Sequence, residues 1–122
     1  MKLHQAVAAG LNTFTGYGDD YVTVNGEKRQ HSCIVLPERI IDWPVQGFDK
    51  LRAEDFQVLE TLGVEIVLLG TGAKQRFPHP RLTAGLARAG VGVEVMDLKA
   101  ACRTYNILIA EERKVAAALL FG

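Results

Sequence analysis

Two short segments of the sequence carry residue types that could bind a ligand. The first follows a hydrophobic run and consists of Gly70, Thr71 and Gly72; the second is Asp97, which follows another such run. Because the carboxyl ends of parallel strands meet at one edge of a sheet, we expect both segments there, where glycine amides could donate to an anion. The other interpretation is a tight turn and a helix cap. It is favoured because the third glycine and the immediate helix of a dinucleotide-binding loop are missing.

A basic segment lies between these two positions. Residues 66–93 contain no Asp or Glu, and their cationic residues are Lys74, Arg76, Arg81 and Arg88. The whole chain has a formal net charge of zero, so the remainder of the chain has a net charge of −4. A loop with one Phe and two Pro leads from Lys74 into a predicted helix, and it is either a solvated loop or a surface for a partner or an anion. One aromatic residue is too few to stack a nucleic-acid strand, so no nucleic-acid partner is predicted.

The last predicted helix supplies two further candidate binding residues. Its apolar residues recur with helical spacing from Leu98 onward, and the stripe includes Cys102 and Tyr105, for which packing in the core is the favoured explanation. Arg103 lies beside this stripe and either pairs with a carboxylate or presents its guanidinium to a partner. Asn106 projects away from the stripe and completes the candidate binding set.

Other kinds of chemistry are not indicated. Cys33 and Cys102 lack the spacing of a metal site or a disulfide scaffold, and His4, His31 and His79 have no partner at ligand spacing. Neither a Ser-His-Asp nor a Gly-x-Ser-x-Gly arrangement is visible, and the adjacent pair Glu111 and Glu112 points to different helix faces. We therefore predict no catalytic residue, no metal site and no cofactor.

Length and composition predict a single domain. The chain has 122 residues, 48% of them hydrophobic and 23% charged, which is typical of a globular protein with a buried core. Residues 1–10 are expected to be loosely ordered, and they lack the apolar run of a secretion signal. No stretch approaches the ~20 apolar residues that cross a bilayer. The sequence therefore predicts a cytoplasmic protein without a membrane span.

The N-terminal half shows strand and turn signals. Residues 12–15 predict a short strand, and the β-branched run 21–24 followed by Asn25-Gly26 predicts a hairpin. The return arm becomes apolar at residues 33–36, and Pro37 ends it. Residues 37–50 are predicted to be irregular, with Trp43 covering the core beneath them.

From residue 51 onward, helices alternate with strands. Helices are predicted over 52–62, over 80–89 and from 98 onward, and strands over 64–69, 91–96 and 115–121. The alanines of residues 115–121 would also permit the last helix to continue, but Arg113-Lys114 and the β-branched Val115 allow a break, so a terminal strand is preferred. Strands separated by helices imply right-handed crossovers. The expected fold is therefore α/β: one compact three-layer domain with a mixed, mainly parallel sheet, crossover helices and an N-terminal β-hairpin layer.

One set of motifs resembles a known family. Residues 95–97 read Val-Met-Asp, residues 100–106 read Ala-Ala-Cys-Arg-Thr-Tyr-Asn, and residues 115–119 read Val-Ala-Ala-Ala-Leu. Together with the 70–72 loop and the prolines at 78 and 80, they resemble the small α/β family that includes mitochondrial complex I assembly factor three and uncharacterised bacterial and archaeal relatives. The resemblance runs from about residue 11 to the end. It implies a three-layer α/β fold and, for the mitochondrial branch, assembly of a membrane enzyme through protein contacts.

The chain departs from the family pattern at two positions. Similar proteins usually read Glu-Gly-Arg after the last helix, whereas this chain has Glu112 in place of the glycine. A non-glycine residue in the expected left-handed cap costs about 1 kcal/mol if that geometry persists. Leu98 replaces a threonine that often follows the capping Asp, so a hydroxyl is missing from that corner.

Two functional interpretations remain. The favoured one is a non-enzymatic protein-binding or assembly-factor-like module, whose partner is another protein and could belong to a membrane complex. The alternative is a small enzyme or a protein that binds a small anionic metabolite where the 70–72 loop meets Asp97. A deep polar cavity at that edge would favour the alternative, and a filled edge beside an exposed patch would favour the first.

Overall fold

The fold is that of a computed structural model, which describes residues 10–121; the expectations for residues 1–9, including His4, lie outside this range. The chain forms, in order, β1 (Phe14–Tyr17), β2 (Val22–Val24), β3 (Glu27–Arg29), β4 (Cys33–Val35), β5 (Ile40–Asp42), α1 (Gln57–Glu60), β6 (Ile66–Gly70), α2 (Pro80–Arg88), β7 (Gly92–Met96), α3 (Leu98–Ala110) and β8 (Val115–Leu119). Two 3-10 turns, Phe48–Lys50 and Ala53–Phe56, precede α1.

A five-stranded mixed sheet forms the middle layer, in the order β5-β4-β8-β6-β7. β6 runs parallel to β7 and β8, while β4 runs antiparallel to β8 and β5. β1, β2 and β3 form a separate antiparallel sheet that packs with α3 on one face, and α1 and α2 cover the other. The expected α/β fold with three layers and a hairpin layer is confirmed. The sheet is mixed, as predicted, but it is not mainly parallel, because two of its four pairings are parallel and two are antiparallel.

The central position of β8 explains why all of its residues are buried. Val115, Ala117 and Leu119 contribute to the core under α3, and Ala116 and Ala118 contribute to the core under α2. A strand covered on both faces reads as a continuous apolar run. The strand predicted over 115–121 is confirmed over residues 115–119, and the last helix ends at Ala110 instead of continuing. The alanines leave room for the helices above and below them. The strand therefore joins the two cores.

Two local expectations were wrong. Residues 40–42 form the edge strand β5 instead of irregular chain, because Ile40 pairs with Val35 of β4. The helix predicted over 52–62 is reduced to a 3-10 turn and the four residues of α1. Its start is held by Asp55, whose carboxylate accepts from the Arg52 amide at 2.8 Å. The chain leaves the helix before Gly63, which adopts a φ of 72°.

The hairpin turn has the predicted geometry. Asn25 and Gly26 have φ values of 51° and 86°, and Val24 pairs directly with Glu27. Two consecutive positive φ values define the turn whose twist matches that of paired strands. The weak strand predicted over 12–15 corresponds to β1, which pairs with β2. The sequence therefore predicts this layer from its turn residues.

Glu112 occupies the left-handed position that the sequence comparison with the family predicts, with a φ of 62°. The Arg113 amide donates to the Leu108 carbonyl at 2.9 Å and the Glu112 amide to the Ile109 carbonyl at 2.9 Å, which closes the helix in a Schellman motif. We expect Glu112→Gly to raise the free energy of unfolding by about 1 kcal/mol, since the Cβ strain disappears. Urea denaturation measures the change.

Glu111→Gly is the matched control for this prediction. It removes the same charge one residue earlier, where φ is −91°. Glycine brings no relief there and adds freedom to the unfolded chain, so this variant should not be stabilised. If Glu112→Gly is as stable as wild type or less stable, the left-handed cap is not strained.

Candidate functional site

The 70–72 loop and Asp97 lie at the same edge of the sheet, as predicted. Gly70 ends β6 in register with Met96 of β7 and Leu119 of β8. The connections that follow β6 and β7 leave toward opposite faces, which is the arrangement around which open α/β sheets place ligands. The Thr71 amide donates to the Met96 carbonyl at 2.9 Å, and the Leu98 amide donates to the Gly72 carbonyl at 2.8 Å.

Protein atoms fill this edge. A Cβ on Gly70 would lie 2.9 Å from Leu119 Cδ2 and 3.1 Å from Ala101 Cβ, so a larger residue would displace these neighbours and close packing favours glycine. Asp97 Oδ1 accepts from the Ala100 amide at 2.8 Å and caps α3. The space that remains beside Gly72 and Asp97 is about 150 Å³. Small-molecule sites usually measure about 300 to 1,000 Å³, so the recess is too small for a typical metabolite.

The loop that follows, residues 73–79, is braced by side-chain hydrogen bonds. The buried Thr71 hydroxyl donates to the Lys74 carbonyl at 2.6 Å and accepts from the Arg76 amide at 3.0 Å. Gln75 Nε2 donates to the Val95 carbonyl at 2.9 Å. At the end of the loop, His79 Nδ1 accepts from the Arg81 amide at 3.1 Å and caps α2. These hydrogen bonds therefore fix the shape of the loop.

The structure separates the four basic residues of this segment into two kinds. Arg76 is half-buried: its guanidinium lies 4.5 Å from the centre of the Phe48 ring and 3.6 Å from Asp49 Oδ1. Lys74, Arg81 and Arg88 are exposed. Arg76 therefore ties the loop to the Phe48–Lys50 turn, and the other three point charge toward solvent.

Phe77 is the feature that the sequence reasoning did not single out as a site residue. It is 72% exposed, and Ile107, at 58%, is the other large hydrophobic residue exposed between residues 10 and 121. Phe77 sits in the braced loop between Arg76 and Pro78. The sequence does contain a signal for this residue: a phenylalanine flanked by a cation and a proline in a predicted loop. A loop does not need an aromatic side chain for core packing, so the pattern indicates an exposed ring.

Arg103 and Asn106 lie on α3, across the sheet from α2, so the predicted binding residues do not form one site. Asn106 accepts from the Phe14 amide at 2.9 Å and donates to the Phe14 carbonyl at 2.8 Å, which docks β1 on the helix. The exposed Arg103 guanidinium lies 6.0 Å from the centre of the Tyr17 ring. Asn106 is thus engaged inside the fold, and Arg103 remains accessible.

The titratable side chains of the core under α3 are Cys33, Cys102 and Tyr105, and burial keeps them neutral. Burial raises the pKa of Cys33 to about 11 and that of Cys102 to about 12, so both free thiols stay protonated at neutral pH. Burial also raises the pKa of Tyr105.

Between residues 10 and 121, no three His, Cys, Asp or Glu side chains cluster as metal ligands would. None of the described helices has the length and apolar character that a membrane crossing requires.

A family described as "Protein of unknown function (DUF498/DUF598)" matches residues 14–120, which is nearly the whole described chain. The chain belongs to this family. A crystal structure of a protein from Bordetella parapertussis is 44% identical and superimposes with a TM-score of 0.86, covering 92% of this chain and 97% of that one. The two proteins therefore share this α/β fold.

Two relatives of the family show its breadth. NADH dehydrogenase [ubiquinone] 1 alpha subcomplex assembly factor 3 of Xenopus tropicalis is 33% identical over 106 residues, 85% of this chain and 58% of that protein. The chain thus matches less than two thirds of that relative's length. The 13 kDa major membrane protein of Francisella tularensis subsp. holarctica is 26% identical over 109 residues, 88% of this chain and 89% of that protein. The resemblance inferred from residues 95–119 is confirmed.

Proposed function

We propose that the protein is a non-enzymatic binding module that docks another protein on the 73–81 surface, defined as the braced 73–79 loop with the first residues of α2. The observation that carries the proposal is the 72% exposure of Phe77 in a loop held by the Thr71 and Gln75 side chains. Aromatic residues are enriched where proteins meet, and a preformed loop loses little entropy on docking.

The charge around Phe77 indicates the charge and polarity of the partner's binding surface. Lys74 and Arg81 are exposed on the same segment as Phe77, and no acidic residue occurs in residues 66–93. An acidic rim around an apolar pocket would complement this surface, because charge complementarity steers association while the buried aromatic ring stabilises the complex. The kinship with an assembly factor supports a protein partner, and a component of a membrane complex is one candidate.

Location is part of the same proposal. The cytoplasm is the compartment that the sequence predicts, whereas one relative is named a membrane protein. A partner within a membrane complex would reconcile the two, because the protein would then be recovered with membranes through that partner. Fractionation of the native host before and after high salt distinguishes a docked protein from one that is free.

The test is a pull-down with the partner first identified by affinity purification from the native host. Phe77→Ser should abolish retention, and Lys74→Ser with Arg81→Ser should weaken it and flatten its salt dependence. Each exposed site should change the free energy of unfolding by no more than about 0.5 kcal/mol. Arg76 is left unchanged because its contacts with Phe48 and Asp49 belong to the fold.

Ile107→Ser is the matched control, since Ile107 is an exposed large hydrophobic residue on α3, outside the 73–81 surface. It should retain the partner as wild type does. Identical retention and salt slopes for all variants would show that the loop is only solvated. Loss with Ile107→Ser alone would move the interaction to the exposed face of α3 around Arg103.

A further inference from the structure

A cleft of about 610 Å³ lies at the sheet edge opposite the 70–72 loop, where β6 and β8 begin. Its volume falls within the range of about 300 to 1,000 Å³ that is typical of small-molecule sites. Three turns surround it: residues 36–39 between β4 and β5, residues 62–64 before β6, and residues 112–114 before β8. None of the predicted binding residues lines it.

Backbone hydrogen bonds fix the walls of the cleft. The Leu36 amide donates to the Arg39 carbonyl at 2.9 Å, and the Asn12 amide donates to the Pro37 carbonyl at 2.8 Å. On the other wall, the Glu65 amide donates to the Lys114 carbonyl at 2.9 Å, beside the cap that closes α3. The cleft is therefore preformed, and a ligand need not order it.

The lining combines an apolar floor with a charged rim. The accessible part of the floor consists of the half-buried Leu11, Leu62 and Val64, and Leu36, Ile109 and Val115 form its buried part. The rim carries three exposed cations, Arg39, Arg113 and Lys114, together with the carboxylates of Glu38 and Glu112. The ion pairs between described residues involve none of these three cations. The rim thus has one excess positive charge above an apolar surface.

We propose that this cleft binds a small amphipathic carboxylate, of the class of a medium-chain acyl carboxylate. The hydrocarbon part lies on the half-buried side chains of Leu11, Leu62 and Val64, where burial of their remaining apolar surface favours it. The carboxylate lies at the rim, where an arginine fork matches its two oxygens and the excess positive charge attracts a monoanion. An organic cation of the same length gains the floor contact but loses the rim contact.

Isothermal titration of the full chain with dodecanoate, kept below its micelle-forming concentration, tests the proposal. Dodecanoate should bind with a saturable one-site isotherm, and dodecyltrimethylammonium, which has the same chain and the opposite charge, should bind much more weakly. Amide resonances of Gly63, Val64 and Lys114 should shift. Equal binding of the two amphiphiles, or binding only to vesicles of anionic phospholipid, would overturn the proposal, as would no binding.

Paired variants locate the head group. Arg39→Gln with Arg113→Gln should weaken dodecanoate binding by about tenfold or more, because hydrogen bonds between charged groups contribute about that factor. Arg81→Gln with Arg88→Gln changes the net charge equally on α2 and should leave binding unchanged. Equal loss in both pairs would mean that only net charge matters and would overturn the assignment. Phe77→Ser should bind dodecanoate normally, which separates this site from the 73–81 surface.

Discussion

Replacing Tyr105 by Ala is expected to lower the free energy of unfolding by about 3–5 kcal/mol, as other truncations of large buried aromatic residues do. The Tyr105 side chain is fully buried in the core between α3, the central sheet and the hairpin layer. Its ring packs edge to face against Phe14 with 5.0 Å between the ring centroids, and its hydroxyl donates to the Asn12 carbonyl at 3.0 Å. Truncation removes both contacts and leaves a cavity.

Two milder variants separate these contributions. Tyr105→Phe keeps the ring and its contact with Phe14, so it should lose only about 1 kcal/mol, the usual net value of a hydrogen bond. Cys102→Ser should also be less destabilising than Tyr105→Ala and should leave partner binding unchanged. Urea denaturation followed by circular dichroism measures all three. A Tyr105→Ala variant that melts near the wild-type temperature would show that this stripe of α3 does not form the core.

Trp43→Ala is expected to lower the free energy of unfolding by a similar amount, about 3–5 kcal/mol. Trp43 is only 3% exposed and belongs to the second core, under α1 and α2. Its ring packs edge to face against Phe56 with 5.7 Å between the ring centroids, and its Nε1 donates to the Asp55 carbonyl at 2.9 Å. The residue therefore joins the chain after β5 to the Ala53–Phe56 turn, and the predicted role of Trp43 in covering the core is confirmed.

Trp43→Phe is the control, because it keeps an aromatic ring against Phe56 and loses the indole donor. It should be destabilised clearly less than Trp43→Ala, by the hydrogen bond and part of the packing. Trp43 is the single tryptophan of the chain, so unfolding is followed by far-ultraviolet circular dichroism instead of fluorescence. If the two variants lose equal stability, ring packing against Phe56 contributes nothing.

The core that contains Tyr105 lies away from the 73–81 surface, whereas the core that contains Trp43 lies close to the residues that hold this surface. Tyr105 fixes the hairpin layer, on the face of the sheet away from α2, so its truncation should reduce stability without a selective loss of partner binding. The second core lies under α2 and the Phe48–Lys50 turn, to which Arg76 ties the 73–79 loop. Loss of binding through Trp43→Ala would thus accompany loss of stability, whereas Phe77→Ser should separate the two.

Local signals in the sequence determined the elements whose stability depends on near neighbours. The spacing of apolar residues in α3 and the Asp97 cap are set by contacts within four positions, and Asn25-Gly26 defines its turn by its own backbone preferences. For residues 115–121 the sequence left a helix continuation open, and the break allowed by Arg113-Lys114 and Val115 favoured the strand that the structure shows as β8. The motifs over residues 95–119 were specific enough to indicate the family.

Contacts between distant residues decided the rest. Strand β5 forms because Ile40 pairs with Val35 of β4. Close packing favours glycine at position 70 because Leu119 and Ala101 lie against it. The role of Asn106 depends on Phe14, far away in the chain. Such contacts leave no periodic pattern in the sequence. The residue type alone does not show whether a side chain contacts solvent, a ligand or the backbone of another strand. Only the assembled fold could show that the 70–72 edge is filled, that Phe77 is exposed and that three separate turns enclose a cleft.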